Sequence, residues 1–215
     1  MNSRLFRRAA VAVSAAVVLP LALTACSSDG SSKDSAAGSA PSTAPSASKP
    51  AGDSMTMNEP FGPACSSVPK QGAGSFDGMA KDPVATAASN NEELSTLVAA
   101  VKAAGLVDTL NTAQNITVFA PTNAAFAKIP KADLDALLAN KAELTKVLTY
   151  HVVGKRLTPK QLANGSFETL EKGELTTAGS GVSYTVNDSA KVVCGNVPTA
   201  NATVYIIDSV LMPPK

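Results

Sequence analysis

The 215-residue chain holds 18 Lys and Arg against 17 Asp and Glu, one histidine, three cysteines and no tryptophan. Near-neutrality without basic runs or clustered aromatics argues against nucleic acid, whose binding rests on a Lys/Arg footprint, and leaves no strong field to steer charged ligands. Of three compositional zones only the last, beyond about residue 60, has the regularly spaced apolar residues that a core requires, and it has the size of one ordinary domain.

Residues 1–25 are laid out as a bacterial export signal: Arg4, Arg7 and Arg8 precede an apolar run from Ala9 to Leu23, with small residues before Cys26. Interrupted by Pro20, the run falls short of the roughly 20 apolar residues that a bilayer span needs. Leu23-Thr24-Ala25-Cys26 resembles the bacterial lipobox. That resemblance implies cleavage before Cys26 and diacylglycerol on its thiol, with the protein anchored to the outer face of the cell membrane or shed from it; ordinary cleavage with a spare thiol is the alternative. The residues flanking Arg7-Arg8 do not support a twin-arginine signal, which points to general secretory export. Loss of the leader's three arginines leaves 15 basic against 17 acidic residues.

Residues 26–60 are Ser, Ala, Pro and Gly with scattered charges, and Met55 and Met57 are almost their only large apolar side chains. Burial cannot offset the ordering entropy of such a segment, so it reads as a flexible tether with an r.m.s. reach of about 30 Å. It is more simply a solvated spacer than a carrier of O-linked sugars.

The folding zone begins at Phe61, with a loop-rich opening through Cys65 to Lys81. Asp82-Pro83 provides a cap and first residue for a helix ending near Ser89. A longer helix follows, with Glu92 and Glu93 in its first turn, an apolar stripe of Leu94, Leu97, Val98 and Val101, and Gly105 at its left-handed end. Leu106, Val107 and Leu110 continue apolar to a central strand from Ile116. There Ile116, Val118 and Ala120 face one side and Phe119 the other, as in a strand covered on both faces. Pro121 ends the ladder and Thr122 caps a helix through Phe126. Two further helices carry Leu134, Leu137 and Leu138, then Leu144, Val147, Leu148 and His151. Beyond Gly154 come a short helix from Thr158-Pro159 and strands at 166–170, 175–178, 182–186, 191–193 and 202–211, separated by Gly, Asn and Asp. Helices early and strands late give an α+β class with no alternating βαβ series.

Thr117-Val-Phe-Ala-Pro-Thr-Asn-Ala-Ala-Phe126 resembles the first signature of the fasciclin-like domain family. Leu148-Thr-Tyr-His-Val-Val153 resembles the family's Tyr-His motif, and Ala202-Thr-Val-Tyr-Ile-Ile-Asp-Ser-Val-Leu-Met212 its closing strand. Asp82 to Asn91 and Cys194 to Thr203 are most similar to the small mycobacterial fasciclin-type antigens, secreted or lipid-anchored. The resemblance implies one domain over 61–215, a helical N-terminal half packed on a β-sandwich or wedge of short strands. Its implied role is extracellular adhesion or binding of a protein or a cell-wall or matrix polymer, without enzymatic activity. In animal relatives a Tyr-His motif and an Asp-Ile pair are implicated in integrin recognition. Tyr150 and His151 match the first; at the second this chain has Ile207-Asp208-Ser209, which counts against integrin binding. Tyr150, His151 and Asp208 are the candidate interaction residues, a structural role in the core being the alternative for each.

In an exported chain the even pair Cys65 and Cys194 is most simply a disulfide, and the small relatives imply the same bridge; two free thiols are the alternative. Closing so long a loop removes unfolded-state entropy worth about 5 kcal/mol. The sole histidine, on an apolar helical stripe, reads as a core residue bonded to an oxygen. With no Gly-x-Ser-x-Gly elbow, no closely spaced Cys or His pair and no phosphate loop, there is no expected catalytic residue, metal or cofactor. Asn115, Asn164, Asn187 and Asn201 begin Asn-x-Ser/Thr triplets that read as turn chemistry, with Asn201 and Thr203 bonding locally before the last strand. A second reading from another class is a carrier for a lipid or small apolar ligand, held between sheet and helices.

Overall fold

The computed structural model describes residues 59–214; the predicted export leader, the lipid-attachment residue Cys26 and the predicted tether up to residue 58 lie outside the described residues. A 3-10 turn at Pro63–Ser67 leads to α1 (Phe76–Met79) and α2 (Val84–Ser89). A second 3-10 turn, Glu92–Leu94, runs into α3 (Ser95–Ala104), which buries Leu97, Ala100, Val101 and Ala104. Gly105 ends it at φ 73°, a left-handed position that favours a residue without Cβ. After α4 (Val107–Thr112) comes the central strand β1 (Ile116–Pro121). The Thr122 side chain accepts from Ala125 N–H and starts α5 (Asn123–Ala127). Then follow α6 (Lys131–Ala139), α7 (Lys141–Tyr150), β2 (Val152–Val153) and α8 (Pro159–Leu162). The chain closes with β3 (Asn164–Glu168), β4 (Glu174–Ser180), β5 (Ser183–Val186), β6 (Ala190–Pro198) and β7 (Ala202–Ile207).

The seven strands form one hydrogen-bonded sheet in the order β2-β1-β7-β6-β5-β4-β3. Its two signature strands lie side by side, β1 parallel to β7, with Ile116 opposite Ala202 and Phe119 opposite Tyr205. Register shifts within β6 bend the sheet. It rolls until its two edges meet, where Val153 of β2 bridges Thr169 just beyond β3 and Leu170 N–H donates to Val152 O.

Alternation in β1 and β7 then serves two cores. Ile116, Val118, Ala120, Ala202, Val204 and Ile206 face the helical layer, packing with Leu94, Leu97, Leu144 and Leu148. Phe119, Tyr205 and Ile207 point into the roll with Phe61, Leu157, Leu175 and Val186. Each fully buried large apolar side chain contributes about 1.5–3 kcal/mol relative to exposure. Within the roll, Thr177 Oγ1 is buried without a hydrogen-bond partner.

Several expectations change. The segment 107–112 is helical, and so is Phe76–Met79 within the expected loop. α2 begins at Val84, not Pro83, because Pro83 is extended at ψ 152°. The last strand stops at Ile207, whose carbonyl accepts from Thr122 N–H, because β1 turns there into α5 and offers it no further partner. Asn115 and Asn187 do occupy left-handed turn positions at φ 56° and 48°, whereas Asn164 lies in β3. Asn201 does not bond locally. Its Oδ1 accepts from Val84 N–H at 2.8 Å, and its Nδ2 donates to Leu110 O at 2.7 Å and Ala113 O at 2.6 Å. One buried amide therefore caps α2 and closes the end of α4 onto the sheet, and the local bond at the turn is made by Thr199 with Ala202.

Candidate functional site

The Tyr-His motif ends α7, where the helix turns into β2. Tyr150 is buried, its hydroxyl donating to Glu174 O at 2.7 Å and accepting from Asn187 Nδ2 at 2.9 Å. It thus pins β4 and the turn between β5 and β6 to the helix end. His151 is also buried and uses both ring nitrogens: Nδ1–H donates to Val147 O at 2.7 Å and Nε2 accepts from Leu211 N–H at 2.9 Å. A carbonyl cannot donate and an amide N–H cannot accept, so the ring is the neutral Nδ1–H tautomer. Burial lowers its pKa from 6.5 to about 4, opposed by the bond to Val147.

Asp208 lies just past β7 with 31% of its side chain exposed. Its Oδ1 accepts from Lys191 N–H at 2.8 Å and from Ser209 Oγ at 3.1 Å, and its Oδ2 pairs with Lys128 Nζ at 3.2 Å. Partial burial raises its pKa, but the Lys191 N–H, Lys128 and Ser209 together hold the carboxyl below the ordinary carboxylate value. Of the three candidates, two face inward and one reaches the surface, beside Lys128 and Ser209. Cys65 and Cys194 are joined in a disulfide with Cα atoms 4.9 Å apart, fixing the opening turn onto β6. Next to it Gly62 sits at φ 113°, where a Cβ would lie 2.5 Å from Val193 O.

Two features escape sequence reading. Asn123, in the first signature, reaches α3: its Oδ1 accepts from Thr96 N–H at 2.9 Å and its Nδ2 donates to Glu92 O at 2.9 Å. The other is an apolar cavity of about 120 Å³ between the helical layer and β1 and β7, bounded by α2, α3 and α4. The small side chains Ala85, Ala87 and Ala88 of α2 leave this space opposite Val98, Val101 and Val107. Among the described residues no group of three or more His, Cys, Asp or Glu could hold a metal ion, and no helix is long and apolar enough to cross a membrane.

The fasciclin domain family model matches residues 92–213, from the turn before α3 to the tail beyond β7. The chain belongs to the fasciclin domain family. It is 51% identical over 161 residues to immunogenic protein MPB70 of Mycobacterium bovis, covering 71% of this chain and 82% of that protein. Identity is also 51% over 148 residues to the cell surface glycolipoprotein MPB83 of the same species, 66% of each chain. Protein sll1483 of Synechocystis is 42% identical over 135 residues, 59% of this chain and 71% of that one. Among solved structures, a FAS1 domain pair from the insect cell adhesion molecule Fasciclin I aligns with TM-score 0.47 and 20% identity, over 57% of this chain and 46% of that one. Membership sets this fasciclin domain among non-enzymatic proteins, and its antigen and cell-surface relatives support a location outside the cytoplasm.

Proposed function

We propose that the chain is an envelope lipoprotein, anchored through Cys26 to the outer face of the cell membrane, whose fasciclin domain binds an extracytoplasmic protein or cell-wall polymer without catalysis. The observation that carries this reading is the lipobox-like Leu23 to Cys26 on a chain that is 51% identical over 148 residues to a cell surface glycolipoprotein. Residues 26–60 serve as the tether, and the Cys65–Cys194 bridge fixes the start of the domain. Asp208, with Lys128 and Ser209, is the contact element; Tyr150 and His151 hold the strand ends beneath it. Incorporation of a clickable palmitate analogue, lost in Cys26→Ala, tests the anchor. Pull-down from envelope fractions tests the contact, with enrichment expected for the native domain and lost in Asp208→Lys. No enrichment by the native domain over a Lys128→Glu, Asp208→Lys double variant counts against it.

A second reading, as carrier of a small apolar ligand, is favoured by the cavity beneath α2, α3 and α4. An engineered apolar cavity of about 150 Å³ admits benzene, so this one matches a short apolar group and not a whole lipid.

A further inference from the structure

The cavity has an uncharged wall and one charged residue at its mouth. Its inner surface is formed by Val84, Leu97, Val101, Leu110, Val118 and Val204, all buried. The buried polar side chains on that wall are engaged within the fold. Asn91 Oδ1 accepts from Glu93 N–H, Thr199 Oγ1 bonds Ala202, and His151 is held between Val147 and Leu211. A ligand there meets apolar surface, and displacing nothing but loosely held solvent from such a site is favourable.

The mouth opens where Ala85, Ala88, Val98 and Val107 are half-buried, and the exposed lining residues beside them are Thr86, Ser89 and Lys102. Lys102 stands one turn beyond Val98 on α3, on the face that lines the opening, and is the sole charged residue of the lining. It forms no ion pair among the described residues. A cation at the rim of an apolar slot presents the two chemistries of an amphiphile in the order that an amphiphile offers them.

Resting on the carrier reading, we infer that this cavity binds the tail of a short-chain anionic amphiphile, about six carbons long, with its carboxylate at Lys102. The tail enters between α2, α3 and α4, and the head stays at the solvent edge. A near-surface charge pair of this kind contributes modestly and is weakened by salt, so burial of the tail supplies most of the affinity and Lys102 the preference for an anion.

The test uses hexanoate, hexan-1-ol and hexylammonium as probes of the oxidised protein, followed by methyl resonances of Val98, Val101 and Val107. Saturable shifts are expected with all three probes, tightest with hexanoate and weakest with hexylammonium, whose cation meets Lys102 at the rim. Lys102→Glu is expected to weaken hexanoate about fivefold or more at low salt while leaving hexanol unchanged. Ala88→Phe, which fills the mouth, is expected to abolish both. Hexanol binding with no preference for hexanoate, or an indifferent Lys102→Glu, overturns the anionic ligand and leaves the carrier reading standing. Absence of shifts with every probe, or shifts that persist in Ala88→Phe, removes both.

Discussion

Acidification should weaken this domain through one imidazole. His151 is neutral in the fold because protonation would place a buried charge there and turn Nε2 from the acceptor of the Leu211 N–H into a donor facing it. Its pKa is about 4 when folded, against 6.5 in the unfolded chain. The depressed value means that the unfolded state binds the extra proton between these limits. Stability is therefore fully present above pH 6.5 and falls on acidification by about 1.4 kcal/mol per pH step, reaching a loss of about 3 kcal/mol near pH 4. That is a large share of the 5–15 kcal/mol typical of a domain. Asp208, whose carboxyl is held low, adds its loss only as pH falls below its ordinary value of 3.8. The assay is urea unfolding of the oxidised protein from pH 7.5 to 4, for the native chain and His151→Gln. The variant is expected to be less stable at pH 7.5 but to lack the extra slope, so that the two curves converge on acidification. Parallel curves would refute the assignment of the slope to His151.

Asn201→Asp keeps the shape of the side chain but removes the donor that reaches Leu110 O and Ala113 O. A loss of about 2–4 kcal/mol is expected, with the Val84 amide and the α4 amides exchanging faster by hydrogen exchange. Replacing both Cys65 and Cys194 by serine should lower stability by about 2–5 kcal/mol, read as a fall in the urea midpoint, and should remove the effect of reductant on that midpoint. Thr177→Val exchanges an unpartnered buried hydroxyl for a methyl of similar shape and should raise stability by about 1 kcal/mol; calorimetry that finds it destabilising would mean that the hydroxyl has an acceptor.

Where a structural decision is made by near neighbours, the amino-acid order was enough. The alternation of Ile116, Val118 and Phe119, the Thr122 cap and the left-handed Gly105 each depend on residues within one turn or one pleat. α4 was missed because 107–112 is too short for its apolar spacing to stand out from an irregular run. Asn201 was misread because its partners lie 117, 91 and 88 positions away, and no local pattern announces such bonds. The inward orientation of Tyr150 is fixed by Glu174 in β4 and by Asn187 in the turn after β5, whose return to α7 depends on the whole sheet closing. For the cavity there was a trace: Ala85, Ala87 and Ala88 crowd one short helix with side chains too small to fill the gap to α3.

The bridge from Cys65 to Cys194 also decides how the domain takes a mechanical load. Cys194 is in β6, the middle strand of the seven. Tension applied at residue 59 passes through the opening turn and across a covalent bond into that strand, bypassing the helices strung between Val68 and Asn115. To extend the chain, a pull must first shear β6 from β7 in the middle of the sheet, whereas in the reduced protein it can peel the helical layer away turn by turn.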